Sequence, residues 1–270
     1  MTLQGTHILL PLPSEGFEAT EAAVPWQALT RAGVRVTIST PDGQAPSADG
    51  FTADGARGPL LANLMFKADK PALEAYRQLQ ADASFQAPLP WSAIDAGDYD
   101  GIVLPGGHAP GMVEFLGSAQ LQRVVSALDA SGKLVASICH GVLLAARSQR
   151  ADGRSVLHGR RITTVPARVE NMLWRMFNRR IDPLYGRPCA VAAEEEMRSL
   201  LRAEDFDIRM PPLRKDAPGK HRGLCIVDGH IVTARMPHDA YTFAAGVVET
   251  LQALVEQRAA GGAEVHRLAV

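Results

Sequence analysis

The feature that most limits what this chain can fold into is the alternation of short apolar runs with segments of helical period. Thr6-His7-Ile8-Leu9-Leu10-Pro11 is short and apolar, and it reads as a buried strand. From Phe17 to Ala32 the apolar residues Ala22, Ala23, Trp26 and Leu29 recur at helical spacing, and Gly33 stops the run. Val34-Arg35-Val36-Thr37-Ile38 is β-branched and predicts a second strand, ended by Pro41-Asp42-Gly43. Strand, helix and strand in that order open a parallel sheet, with helices packed on its faces.

The same alternation resumes downstream. Tyr99-Asp100-Gly101-Ile102-Val103-Leu104 predicts a strand, and Ser118 to Ala130 a helix capped by Ser118 and closed by Gly132. Lys133 to Ile138 predicts the next strand, Gly141 to Gln149 the next helix, and Arg161 to Val165 a further strand. Leu224 to Val227 and Ile231 to Ala234 flank Asp228-Gly229, a hairpin signal, and a last helix runs from Asp239 to about Gln257. Two stretches interrupt the pattern. Residues 44–95 are irregular around one helix, Pro71 to Ala81, and residues 168–220 are amphipathic and rich in Arg, Met and Trp. The second suits a cap over the sheet or a subunit contact. The expectation is one doubly wound α/β domain over residues 1–258 with two insertions, then an Ala/Gly-rich tail over 259–270.

Composition narrows the function. The 28 Lys+Arg and 29 Asp+Glu leave a formal charge of −1, which argues against nucleic acid as a partner. The basic, aromatic run Trp174 to Arg180 therefore reads as an amphipathic helix at a lid or interface. Every apolar run falls short of the roughly 20 residues a membrane helix needs. No basic region precedes Ile8-Leu9-Leu10, so the start does not read as a signal peptide, and the expected setting is cytoplasmic with no membrane partner. Cys139, Cys189 and Cys225 are odd in number and widely spaced, so they suggest no disulfide framework. The eight histidines are dispersed, and neither a dinucleotide fingerprint nor a P-loop occurs; no metal and no cofactor is implied.

Chemistry concentrates in Ser137-Ile138-Cys139-His140-Gly141, a small-x-nucleophile-x-small pattern where a strand gives way to a helix. Such an elbow forces the central residue into a strained turn and presents it at the carboxyl end of the sheet. Backbone N–H groups at the helix start are expected to favour the thiolate of Cys139. One βα unit earlier, Pro105-Gly106-Gly107-His108 follows a strand. Gly106 and Gly107 let backbone approach a ligand, and the N–H groups of Gly107 and His140 are candidates for an oxyanion hole. His108 reads as structural or pocket-lining.

With these segments in view, Glu15-Gly16-Phe17-Glu18-Ala19-Thr20-Glu21-Ala22, Asp100 to His108 and Ile138-Cys139-His140-Gly141 resemble the ThiJ/PfpI superfamily. The resemblance covers residues 6–43 and 98–165 well and the insertions poorly. It implies a flavodoxin-like sandwich of the class I glutamine-amidotransferase type, with Cys139 as nucleophile and His140 beside it. It also places the family's strand-end acid at Glu21, as a proton relay to the thiol. The heat-shock glyoxalase branch carries an acid after the next strand, which falls on Glu170; a simpler branch has a histidine where this chain has Val165. Pro237-His238-Asp239 lacks the His-x-Glu of true glutaminases. The implied activity is cofactor-free conversion of a small α-oxoaldehyde such as methylglyoxal to a hydroxy acid. An intracellular peptidase or amidase is the alternative enzyme, and a stress chaperone or thiol-based oxidant sensor the alternative class. Association as a homodimer is expected from the insertion and the family.

Overall fold

The computed structural model describes residues 3–53, 68–210 and 216–268. Its centre is a seven-stranded sheet built from β1 (His7–Pro11), β3 (Arg35–Thr40), β5 (Leu89–Pro90), β6 (Gly101–Leu104), β7 (Leu134–Ile138), β8 (Cys225–Asp228) and β9 (Ile231–Ala234). Their spatial order is β5-β3-β1-β6-β7-β9-β8. Every neighbouring pair is parallel except β8 with β9. A separate two-stranded pair joins β2 (Glu15–Phe17) to β4 (Ser47–Ala48).

All residues of β1, β6, β7 and β9 are buried, as strands covered on both faces must be. The first helix, Ala19–Arg31, lays Ala22, Ala23, Trp26 and Leu29 into the core. Against it pack the helix Lys70–Ala81 and the last helix, Ala240–Leu268. Helix Ala119–Ala130 begins at Ser118, whose hydroxyl accepts from the Leu121 N–H at 3.3 Å. The sandwich is thus the doubly wound one the alternation predicts.

Three elements differ from expectation. Arg161–Val165 forms no strand; only Ile162 makes an isolated bridge, to Phe206. The reason is topological: β9 has β7 on one side and β8 on the other, so no edge remains for it there. The first insertion is partly sheet, since β5 extends the edge beside β3. The last helix continues past Gln257 to Leu268, through the Ala/Gly-rich stretch where the sequence predicts a tail. Residues 54–67 and 211–215 of the two insertions, and 269–270 of the tail, lie outside the described residues.

The second insertion supplies helices Ala167–Phe177 and Ala193–Leu200. Val169, Leu173 and Phe177 join Phe51, Ala109, Tyr185 and Met236 in a second apolar cluster, apart from the main core. Cys139 lies in the main core, at its boundary with the cavity this cluster helps to wall.

Candidate active site

Cys139 follows the last residue of β7 and precedes the helix Gly141–Arg147. Among the described residues it alone, of the non-glycines, has a positive φ, +57°. That is the strain an elbow imposes, and the surrounding contacts hold it in place. The Cys139 N–H donates to the Ala234 carbonyl of β9 (3.0 Å), and the Thr164 hydroxyl donates to the Cys139 carbonyl (3.3 Å). Gly141 is required by space: a Cβ there would lie 2.2 Å from the Leu104 carbonyl oxygen.

The expected residues converge. His140 Nδ1 stands 3.5 Å from the Cys139 sulfur, and His140 Nε2 stands 2.9 Å from Glu170 Oε1. The other oxygen of Glu170 accepts the Ala193 N–H at 2.8 Å, which ties the cap helix to the pair. Glu170 is fully buried, so it is no solvated helix-start acid. Glu21 comes from the opposite side. Its Oε2 accepts the Gly106 N–H at 2.9 Å, and a Cβ on Gly106 would collide with both that oxygen (2.8 Å) and Cys139 Cβ (2.7 Å). Only glycine lets the acid and the thiol meet across that backbone. Glu21 Oε1 is buried with no hydrogen-bond partner among the described residues. Placing a proton there relieves the desolvation of an unpaired carboxylate oxygen.

Electrostatics oppose charge on both the thiol and Glu21. Burial, then the neighbouring Glu18 carboxylate, raises the Glu21 carboxyl well above its ordinary range, against the opposing Gly106 N–H. Burial, then the Glu21 charge, raises the Cys139 thiol well above its ordinary range, with the His140 N–H opposing. The expected drop of the thiol at a helix start is therefore overturned: the N–H contribution is present, but burial and carboxylates outweigh it. The Glu21 charge opposes the thiolate, so the two groups do not ionise together.

Gly106 also departs from expectation, because its N–H is engaged by Glu21. Gly107 retains an N–H without a partner among the described residues, and the His140 N–H points to the sulfur. His108 is buried and lines the site; its Nε2 lies 3.3 Å from the Tyr185 hydroxyl and 3.7 Å from Asp49. Burial keeps its imidazole below the ordinary pKa, with Asp49 partly opposing.

A cavity of about 30 Å³ adjoins Cys139, His140 and Glu170, walled by Val165, Leu173 and Met236 among others. The chain after β9 forms one wall, where buried Arg235 grips Asp239 at 2.7 and 2.8 Å and frames Met236-Pro237. Thr52, Leu173, Gly186 and Met236 carry no local pattern in the sequence, since they reach the site from the insertions or from the turn after β9. No group of three or more potential metal ligands is assembled among the described residues.

Fold and site define an α/β protein that carries a cysteine on a strained strand-to-helix turn at the carboxyl end of a mostly parallel sheet. The chain belongs to the ThiJ/PfpI family: the family model described as ThiJ/PfpI family-like matches residues 12–196. It is 29% identical over 153 residues to DJ-1 homolog D of Arabidopsis thaliana, covering 56% of this chain and 35% of that protein. The chain thus spans about a third of that plant relative. It is 22% identical over 244 residues to a glutathione-independent glyoxalase of Schizosaccharomyces pombe, covering 88% of each. The crystal structure of glyoxalase III from Candida albicans superposes with a TM-score of 0.56 at 16% identity, over 91% of this chain and 97% of that one, a likeness of fold. No helix among the described residues is long and apolar enough to cross a membrane.

Proposed function

We propose that the protein is a cysteine-dependent, glyoxalase-like enzyme acting on a small α-oxoaldehyde such as methylglyoxal. The observation that carries this reading is the buried Glu21–Cys139 pair, with His140–Glu170 behind it, on a cavity of only about 30 Å³. Such a space suits a three-carbon carbonyl compound far better than a peptide chain. The S. pombe glyoxalase relative, aligned over nearly the full chain, supports it.

The chemistry turns on proton transfer between Cys139 and Glu21. The Cys139 thiol passes its proton by way of Glu21 to the nascent alkoxide as the sulfur attacks the aldehyde carbon, giving a hemithioacetal and a Glu21 carboxylate. The Glu21 carboxylate so formed removes the C1 hydrogen and returns it to C2. Meanwhile His140, oriented by Glu170, carries the hydroxyl proton from O1 to O2. The Gly107 N–H is the available backbone donor for an enediolate oxygen. The product of these steps is a hydroxyacyl thioester, and water hydrolyses it to the hydroxy acid and free thiol. Electrons balance within the substrate, since C1 is oxidised as C2 is reduced.

Incubation with methylglyoxal in the absence of glutathione, with the hydroxy acid measured directly, tests the reading. Turnover that vanishes in Cys139→Ala is the expected result. Hydrolysis of small amides with no conversion of methylglyoxal would replace it.

A further inference from the structure

Two cavities near the elbow are lined by residues adjacent in the chain. The inner one, about 30 Å³, holds Cys139 and is walled in part by Thr52, His108 and Gly186. The outer one is a groove of about 530 Å³ whose walls include Phe51, Ala109 and Tyr185. Each of these three residues is the sequence neighbour of one in the first set. At three separate places the chain therefore passes from one cavity to the other within a single peptide.

Tyr185 is the bulkiest of these wall residues, and it is held on every side. Its hydroxyl donates to Asp49 Oδ2, which leaves the phenol oxygen free to accept from His108 Nε2 at 3.3 Å. Its ring meets His108, Phe51 and Phe177 edge-on, with centroids 5.1, 6.1 and 5.8 Å apart. The residue is only 3% exposed. An aromatic side chain fixed by a satisfied hydroxyl and three edge contacts is a stiff wall.

We propose that Tyr185 sets the upper size of the carbonyl compound that reaches the Cys139 sulfur. With Tyr185 in place the site admits a 2-oxoaldehyde with a methyl-sized substituent. Without it, a longer uncharged tail extends into the outer groove. The identity of the substrate rests on the glyoxalase-like reading above; the size limit does not. The inner cavity, about 30 Å³ against about 530 Å³ for the groove, is the narrow part of this space. The groove offers the apolar surfaces of Phe51, Ala109, Pro110 and Ile181 to a hydrocarbon tail, while Glu15 and Asp182 on its walls disfavour an anionic one.

Alkylation of Cys139 tests the size limit without requiring turnover. The sulfur displaces iodide and a carbon–sulfur bond forms, and peptide mass spectrometry locates it. The rate with iodoacetamide is compared with that of N-benzyliodoacetamide, each relative to free cysteine. The native protein should favour the small reagent by on the order of tenfold or more, a discrimination of the size steric pockets achieve. Tyr185→Ala should bring that preference to within about threefold of free cysteine, while Tyr185→Phe, which keeps the ring, should retain it within about twofold. Tyr185→Leu, which keeps an apolar side chain in the cluster, serves if the alanine variant does not fold, and should move the same way. The proposal is overturned if the native protein shows no size preference, if the Ala and Leu variants keep it, or if Phe loses it as fully as Ala. Turnover of methylglyoxal against phenylglyoxal is measured in parallel. Loss of the size limit in Tyr185→Ala, with no turnover of either aldehyde by the native protein, would sustain the role of Tyr185 and remove the glyoxalase reading.

Discussion

Two histidine–carboxylate pairs of nearly equal length stand at opposite ends of the sheet. At the carboxyl end, His140 Nε2 lies 2.9 Å from Glu170; at the other, His230 Nε2 lies 2.8 Å from Asp129. The contacts match, but their surroundings do not. Asp129 also receives Arg150 Nε at 3.0 Å, so a guanidinium compensates its charge. Among the described residues Glu170 has no such cation, and its other partner is a backbone N–H. The free nitrogen of His140 faces a thiol, and behind the thiol lies another buried carboxyl, Glu21. A hydrogen-bonded histidine thus becomes a candidate for proton transfer through what borders its second nitrogen. With an arginine to complete it, the same pair is a clasp between a helix end and a hairpin turn.

The sharpest way to break this comparison is at Glu21. Glu21→Gln should lower turnover of methylglyoxal by about 10²–10⁴, the usual worth of a positioned acid–base group. It should also move the pH midpoint of Cys139 alkylation down, because a charge that raises the thiol is gone. Steady-state kinetics and a pH series of iodoacetamide labelling read the two effects. Turnover that survives in the variant would remove Glu21 from the chemistry.

Glu170→Gln comes next. Loss of a buried hydrogen bond to a charged partner is worth about 1.5–3 kcal/mol, so turnover should fall roughly 10- to 100-fold. The order in which the three cysteines alkylate should not change. Kinetics indistinguishable from those of the native protein would make the His140–Glu170 contact as purely structural as its counterpart.

At the opposite end, Asp129→Asn should leave turnover intact and cost about 1–3 kcal/mol in urea unfolding. Burial opposes ionisation of Asp129, but the hydrogen bonds from His230 and Arg150 prevail and hold its pKa below the ordinary 3.8. A group with a depressed folded pKa stabilises fully above its unfolded value and loses that contribution as pH falls through the folded one. The stability gap between native and variant protein should therefore be full near neutrality and shrink as pH falls below about 4. A gap that widened on acidification would contradict the assignment.

The smallest expected effect concerns assembly. Met172, Met176, Ile181 and Leu184 of the second insertion are exposed, an apolar surface that fits association of two copies. Light scattering should give a mass near twice 28.9 kDa, with little change in turnover on dilution. A monomer at micromolar concentration would remove the dimer.

Much of this molecule was legible in the sequence because its signals are local. The apolar run of β1, the periodic helix ending at Gly33 and the β-branched β3 each carry their own period, and the parallel sheet follows from their order. Ser137 to Gly141 announced the elbow because strained backbone demands small neighbours, and the structure places the positive φ at Cys139. Arg161–Val165 was misread for the converse reason. Its residues suit a strand, but strand formation needs a free edge, and an edge is a property of the whole sheet.

Cys139, His140 and the glycines around them were thus set by residues adjacent in the chain. What the sequence left open was decided by residues distant in it. Glu170 could be a solvated acid or a buried partner until the helix Ala167–Phe177 folded over the elbow and brought it to His140. The state of the thiol ran against the local signal, since burial and the Glu21 charge outweigh a helix N-terminus. Asp49, His108 and Tyr185 gave no common pattern, yet they close the cavity together. Dihedral strain and periodicity act over a few residues, so the sequence records them directly. Desolvation and the Coulomb interaction depend on what is near in space, and only the tertiary structure fixes that.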